Sequence, residues 1–106
     1  MEVYQRADKS PILDLLTDDV EWLIAGHVRR RGRAEFAAEM DAPDAAGPPT
    51  IRIDRVIEEG NAVVAEGFVS QPLKSGGTLE LIFCDVFDFR EGKISRLASY
   101  FAAPVE

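Results

Sequence analysis

Asp85 is the residue whose surroundings point most directly to chemistry. It lies in the stretch from Leu79 to Phe89, whose composition predicts one long strand. Successive side chains of a strand point to opposite faces, so Asp85 shares a face with four large apolar side chains: Leu81, Phe83, Phe87 and Phe89. A carboxylate in such surroundings finds hydrogen-bond partners or takes up a proton. The pattern predicts a pocket carboxylate, with an Asp satisfied by backbone N–H groups or turned outward by a β-bulge as the structural alternative.

A second group able to move protons is His27, the only histidine of the chain. An unperturbed pKa near ~6.5 suits histidine to general acid–base catalysis, although a single loop histidine is commonly just solvent-exposed. Glu66, which shares a strand face with Val64 and Phe68, is a further possible pocket carboxylate or a polar group on the outer surface. We expect the ligand-binding walls to be mainly apolar or aromatic: Trp22, Ile24, Phe83, Phe87 and Tyr100. Trp22 and Tyr100 would serve equally well as core residues.

Composition argues against several classes of ligand and partner. With one cysteine, Cys84, and one histidine, the chain has no evident metal site, and we predict neither a metal nor a cofactor. A net charge of −7 argues against nucleic-acid binding, which depends on accumulated Lys and Arg. Four arginines, Arg29, Arg30, Arg31 and Arg33, form a local exception. We interpret them as a solvated basic loop, with contact to an anionic ligand as the alternative.

Length and hydropathy predict one domain, residues 1–106, since 106 residues support a single modest core. No apolar run approaches the ~20 residues of a membrane span. The first residues also lack a basic region followed by an apolar stretch, as a signal peptide would have. We therefore expect no membrane partner and a cytoplasmic location.

The first half of the chain predicts helices around one strand. Glu2 to Ala7 could form one helical turn. A second helix is predicted to begin at Ser10-Pro11, a typical helix start, and to end at Thr17-Asp18-Asp19. Its buried stripe would consist of Ile12, Leu13, Leu15 and Leu16. Val20 to Ala25 alternates as a strand, with Val20, Trp22 and Ile24 on one face. Ala34 to Met40 predicts a short helix whose Phe36, Ala37 and Met40 point inward.

The second half predicts a four-stranded antiparallel meander. The strands are Ile51 to Glu58, Ala62 to Ser70, Thr78 to Phe89 and Lys93 to Phe101, and glycine-containing turns separate them. A strand of about twelve residues is long for a globular protein and indicates strong curvature. We predict an α+β fold: a cone-shaped, curved antiparallel sheet with N-terminal helices packed over its concave face, whose mouth forms a ligand pocket.

The order of these elements resembles the nuclear-transport-factor-2-like superfamily, particularly its SnoaL-like and ketosteroid-isomerase-like members. The segments that carry the likeness are Ile12–Trp22, Arg31–Phe36 and Phe83–Phe101. The last of them is a strand, a turn at Arg90-Glu91-Gly92-Lys93, and a second strand that leads to Tyr100-Phe101. It implies a small-molecule-binding cone that commonly pairs as a homodimer through the outer face of the sheet. It implies no particular activity, because one fold hosts many functions.

The resemblance to ketosteroid isomerases places Asp85 at the position of a neutral aspartic acid that donates a hydrogen bond to the enolate. The position of the catalytic base falls on Ile24, and the accompanying tyrosine would lie before Met1. Two of these three catalytic roles are therefore unfilled.

Two other sets of catalytic residues from the superfamily are also incomplete. Limonene-epoxide-hydrolase-like members use an Arg-x-Asp pair where this chain has Glu66-Gly67-Phe68-Val69. SnoaL-type polyketide cyclases place an acid–base aspartate on the last strand, where Ser99 and Ala102 cannot exchange protons in that way.

Three functions therefore stay open. The protein could be an isomerase, cyclase or dehydratase that uses Asp85 and His27 on a small apolar or polyketide-like molecule. It could bind such a molecule without catalysis, or serve as a dimeric structural module.

Overall fold

The computed structural model describes residues 10–41 and 44–104, which form two helices and six strands. The elements in chain order are α1 (Ser10–Leu13), β1 (Leu16–Ile24), β2 (Val28–Arg31), α2 (Arg33–Met40), β3 (Thr50–Glu59), β4 (Ala62–Pro72), β5 (Thr78–Arg90) and β6 (Lys93–Ala102). The predicted turn of helix at Glu2 to Ala7 lies outside the described residues. Neither described helix is long and apolar enough to cross a membrane.

The six strands form one sheet in the order β2-β1-β6-β5-β4-β3. Strands β3 to β6 pair successively as the predicted antiparallel meander, and the α+β fold is confirmed. Strand β1 pairs with β6 in parallel, while β2 folds back antiparallel along β1. The parallel pair joins the two halves of the chain, and it makes the sheet mixed rather than purely antiparallel.

The core lies on one side of the sheet, which we call the inner face. It consists of Leu16, Val20, Trp22, Phe36 and Leu97. The α2 residue Phe36 stacks on Trp22 with ring centroids 4.5 Å apart, so α2 covers the β1 end of this face. Two partly buried α1 side chains, Ile12 and Leu13, pack against the same core. The inner face is thus the side that the helices cover, as predicted.

Two local predictions are wrong. The first helix ends at Leu13, and the residues expected to complete it begin β1 instead. Leu16 is fully buried and pairs with Ile94, while Leu15 is 48% exposed rather than part of a buried stripe. Pairing with β6 therefore overrides the helical spacing of leucines, because local propensity is weaker than tertiary burial.

The arginine-rich segment is also a strand, β2, rather than a loop. Its arginines alternate between faces and pair with glutamates of neighbouring elements. Arg31 lies 3.2 Å from Glu21, and Arg30 lies 2.9 Å from Glu39 of α2. These contacts give the arginine cluster a structural role within the fold, which the interpretation as a solvated loop did not anticipate.

Gly67 on β4 leaves room for the backbone of β3 and for the Phe83 ring of β5. A Cβ atom there would lie 2.1 Å from the Arg52 carbonyl oxygen and 2.9 Å from Cζ of Phe83. The pairing of β3 with β4 changes register at this point, between Ile53 and Arg55. The missing side chain lets the Phe83 ring lie over β4 next to the row of residues that holds Asp85.

Candidate functional site

Asp85 lies at the centre of a row that crosses the inner face from β3 to β1. The paired residues of this row are, in order, Val56, Ala65, Asp85, Ser99 and Ile24. The predicted alternation is correct, since Phe83 and Phe87 flank Asp85 on the same face and pair with Gly67 and Val63 of β4. Asp85 is the only titratable member of its row.

A buried hydrogen bond lies next to Asp85. The Nε1–H of Trp22 donates to Oγ of Ser99 over 3.0 Å, and Ser99 is the β6 residue paired with Asp85. Ser99 and Trp22 are 2% and 5% exposed, so this hydrogen bond is shielded from solvent. Stacking on Phe36 holds the indole ring in place.

The carboxyl group of Asp85 is incompletely satisfied. Its Oδ1 atom is shielded from solvent and accepts no hydrogen bond from any residue that the structure describes. Burial raises the pKa of Asp85 from 3.8 to about 6, and the hydrogen bond with Ser99 opposes part of this rise. Asp85 is therefore a carboxyl group that can gain or lose a proton near neutral pH, with one oxygen free to accept a hydrogen bond.

The predicted wall residues divide between the two faces of the sheet. Trp22, Ile24, Phe83 and Phe87 share the inner face with Asp85. Tyr100 pairs with Cys84 instead and is 46% exposed on the opposite side, which we call the outer face. It follows Ser99 directly, and neighbouring strand residues point to opposite faces, so Tyr100 is placed outside the Asp85 site.

The other two candidate acid–base residues do not meet Asp85. His27 is exposed in the turn between β1 and β2, where its backbone N–H donates to the Ile24 carbonyl oxygen over 3.0 Å. Glu66 pairs with Cys84, so it lies on the outer face and is exposed. Asp85 is thus the half-buried acidic group of the inner face, while these two groups remain at the surface.

Ser99 is the site residue that sequence reasoning missed, because only its inability to exchange protons was considered. Near the β5–β6 turn, Arg90 pairs with Lys93, and continuing this register would place Ala98 opposite Asp85. A register shift between Asp88 and Phe89 moves the pairing by one residue and brings Ser99 there instead. No sequence signal marks this shift.

Two clefts of the described structure lie where β5 turns into β6, away from Asp85. A cleft of about 390 Å³ is lined by Thr17, Asp18, Asp19, Arg33, Arg90, Glu91 and Lys93. A neighbouring one of about 300 Å³ shares Asp19 and Arg90 with it. Asp85 lines neither, and the described residues contain no cluster of three His, Cys, Asp or Glu side chains that could hold a metal ion.

The SnoaL-like domain family matches residues 1–97, and the chain belongs to that family. A nuclear-transport-factor-2-like protein from Anabaena variabilis is similar at 20% identity with a TM-score of 0.87, over 97% of this chain and 81% of that one. A putative polyketide cyclase from Xanthomonas campestris pv. campestris is 28% identical with a TM-score of 0.83, over 95% and 83% of the two chains.

A third similar structure is that of TerC co-crystallized with polyporic acid, at 23% identity and a TM-score of 0.82, over 95% of this chain and 84% of that one. Among curated proteins, none matches this chain. The resemblance inferred from the sequence is thereby confirmed at the level of family and fold.

Proposed function

We propose that this protein binds a small, mainly apolar molecule against the inner face of the sheet, where Asp85 meets the polar end of that molecule and exchanges a proton with it. The observation that carries the proposal is the Oδ1 atom of Asp85, buried without a hydrogen-bond partner among the described residues. An unpaired buried acceptor is unfavourable for folding, and its retention is a mark of functional sites. The reaction class is isomerisation, cyclisation or dehydration by proton transfer.

The raised pKa of Asp85 supports proton transfer rather than simple binding. A general acid–base group works best when its pKa is close to the working pH. Burial brings the pKa of Asp85 to about 6, so both protonation states are populated near neutrality. The surrounding apolar side chains, Phe83, Phe87 and Trp22, would exclude water from the reacting group.

Two similar proteins support the class of ligand. One is described as a putative polyketide cyclase, and the other was crystallized with polyporic acid. By analogy with these two proteins, we propose that the present protein takes a polyketide-like or aromatic ligand. Its apolar contacts would be Ile24, Trp22, Phe83 and Phe87. Because Oδ1 is shielded from solvent, the proposal requires the covering side chains to move when the ligand enters.

His27 is the second candidate acid–base group of the proposal. It lies in the turn after β1, three residues beyond Ile24, which belongs to the row of Asp85. A catalytic role for His27 requires that His27→Gln lower turnover while leaving ligand affinity and folding unchanged. Equal turnover in the wild type and this variant would leave Asp85 as the sole acid–base group proposed.

The proposal can be tested with polyporic acid as the probe and Asp85→Asn as the variant. The fluorescence of Trp22, the only tryptophan, reports binding next to Asp85. We expect Asp85→Asn to weaken binding about tenfold, since hydrogen bonds to charged groups contribute roughly 1.5–3 kcal/mol. The matched control is Asp88→Asn, which removes a carboxylate from the outer face of the same strand and should leave affinity unchanged. Equal affinities for all three proteins would contradict the proposed site.

We also propose that two copies pair through the outer face of the sheet. Three large apolar side chains are more than 40% exposed there: Ile57, Ile82 and Tyr100. Half-buried Val64 on β4 and Val86 on β5 pair with each other on the same face. Sedimentation at micromolar concentration should show a dimer that Ile82→Glu dissociates, and a wild-type monomer would overturn the proposed dimer.

A cytoplasmic location stays a prediction that cell fractionation would test.

A further inference from the structure

Gly67 differs from the other glycines of the chain in what requires its small size. Those seven adopt positive φ angles, a conformation that favours glycine, whereas Gly67 does not. Space is the requirement at position 67, because Cζ and Cε2 of the Phe83 ring lie 2.9 and 3.0 Å from where a Cβ atom would be. Phe83 is buried, although it lies outside the main core cluster of the described residues. Gly67 is therefore a recess in β4 that receives the edge of the Phe83 ring.

The inner face next to Asp85 has room for one flat ring. Asp85 lies midway between Phe83 and Phe87, which are about 13 Å apart along β5 at ~3.3 Å per residue. Ala65, the residue paired with Asp85, has only a methyl group, and Gly67, paired with Phe83, has no side chain. A ring over Ala65 would lie about 6–7 Å from each phenylalanine, within the ~4.5–7 Å that separates interacting aromatic rings. A wider group would meet the Phe83 ring in its recess.

This space opens toward β3 rather than toward the helices. Val56, the β3 member of the Asp85 row, is exposed, and Ala65 itself is half-buried. Of the two described helices, α2 packs on β1 and β2, and α1 packs on the core beside them. A ligand can thus reach the side of Asp85 over Val56 and Ala65 without displacing either helix.

We propose that the space over Ala65, which we call the Ala65 subsite, binds one flat ring of the ligand, with Phe83 and Phe87 on its two sides. The polar substituent of that ring would meet Oδ1 of Asp85, which has no hydrogen-bond partner among the described residues. This inference rests on the proposed function and narrows its ligands to molecules whose polar end is a flat ring without bulky substituents. Phe83 is the specificity-determining residue, because its position in the Gly67 recess sets the width of the subsite.

Packing alone would give Phe83 a different signature. A phenylalanine that only stabilises the fold lowers the free energy of unfolding when it is truncated, but its loss affects narrow and wide ligands equally. Substitution of Gly67 does not separate the two roles, because a Cβ atom there would also contact the backbone carbonyl of Arg52 on β3. The informative substitutions are therefore those at Phe83 and Ala65.

The first test needs no ligand and asks whether both residues border the carboxyl group. Carboxyl-carbon NMR follows the titration of Asp85, whose pKa burial raises to about 6. Phe83→Ala should admit water and lower this pKa toward 3.8, while Ala65→Leu should shield the carboxyl group further and raise it. The control Ala62→Leu adds the same bulk to the outer face of β4 and should leave the pKa unchanged. An unchanged pKa in either test variant overturns the inference, and Ala65→Leu, which retains Phe83, decides the matter if Phe83→Ala does not fold.

The second test fills the Ala65 subsite. Calorimetry measures the binding of 4-phenylphenol, a narrow probe with one hydroxyl group, to the wild type, Ala65→Leu and Ala62→Leu. Ala65→Leu should weaken binding about tenfold or more, because the added side chain occupies the place of the ring. Ala62→Leu should bind the probe as the wild type does. Equal affinities for the three proteins would place the probe elsewhere and contradict the Ala65 subsite.

The third test measures the width of the subsite. The probe 3,5-diphenylphenol has the same hydroxyl group as 4-phenylphenol but carries a phenyl group on each side of the ring. The wild type should bind the narrow probe about tenfold more tightly, and Phe83→Ala should reduce this preference to less than about twofold. The control Leu79→Ala shortens an exposed side chain farther along the same strand and should keep the wild-type preference. The same preference in wild type and Phe83→Ala, or no preference in the wild type, overturns the inference while leaving the proposed function intact.

Phe83→Leu keeps more apolar bulk and should show the same loss of preference in smaller measure, so the width test does not depend on the folding of Phe83→Ala. If neither probe binds the wild type, the proposed function fails together with the ligand part of this inference. The NMR titration then still shows whether Phe83 and Ala65 border Asp85.

Discussion

The inner face around Asp85 and the charged surface around Arg90 handle ionisable groups in opposite ways. At the surface, the Arg90 guanidinium hydrogen-bonds to Asp19 and lowers the pKa of that carboxyl group, and Arg31 does the same for Glu21. On the inner face, no oppositely charged group among the described residues pairs with Asp85, and burial raises its pKa. Two clefts lie in the first region, where Arg33 Nε is also shielded without a hydrogen-bond partner among the described residues. The shielded, unpaired oxygen of Asp85 lies in the second region. Paired charges thus mark a structural network at the surface, and desolvation of a single carboxyl group marks the candidate site.

The largest expected effect comes from breaking the core that supports the inner face. Trp22→Ala removes a ring that is 5% exposed, together with its contacts to Phe36 and Ser99. We expect the free energy of unfolding to fall by about 3–5 kcal/mol, the usual range for buried aromatic truncations. Denaturant titration followed by circular dichroism measures it. Leu79→Ala, at a side chain that is 47% exposed, is the control and should change the value by less than about 0.5 kcal/mol.

The next effect is a pH dependence that belongs to Asp85. Its pKa is about 6 in the fold against an ordinary value of 3.8, a difference that corresponds to about 3 kcal/mol at ~1.4 kcal/mol per pKa unit. The folded state binds the proton of Asp85 more tightly than the unfolded state does. Ionised Asp85 therefore lowers the free energy of unfolding by the full amount above pH 6, and this loss of stability disappears as the pH falls from 6 toward 3.8.

Comparison of wild type with Asp85→Asn isolates this pH-dependent contribution of Asp85 to folding stability. The variant should be more stable than the wild type at pH 7.5, by up to about 3 kcal/mol, and the difference should shrink as the pH falls through 6 toward 4. Urea titrations at several pH values measure it. A difference that grows on acidification would show that Asp85 is stabilised as an anion, and that the contrast between the two regions is wrong.

The smallest effect is expected at the surface. Arg90→Gln removes the hydrogen bond that holds the pKa of Asp19 low, so this pKa should move back up toward 3.8. Folding stability should change little, because exposed ion pairs contribute weakly and are screened by salt. NMR titration of Asp19 in low and high salt checks both points. A large loss of stability would mean that the charged surface supports the fold as strongly as the core does.

Much of the site could be read from alternation along a single strand. The spacing of Phe83, Asp85 and Phe87 is local, and β-strand geometry leaves little choice about which face they share. The helix of Phe36 was predicted to within one residue at its start because its apolar spacing is helical and the following loop is rich in proline. In contrast, the extension of β1 back to Leu16 could not be predicted, because its cause is pairing with the distant β6.

The sequence by itself determined that a carboxylate would lie among aromatic side chains on one face of a long strand, since side-chain parity is a property of the strand alone. Only the tertiary structure decided what that carboxylate touches. A one-residue register shift places Ser99 rather than Ala98 opposite Asp85, and parallel pairing of β1 with β6 brings Trp22 to Ser99 across 77 residues of chain. Both depend on long-range strand pairing, in which a single-residue slip exchanges the two faces and which no local pattern specifies.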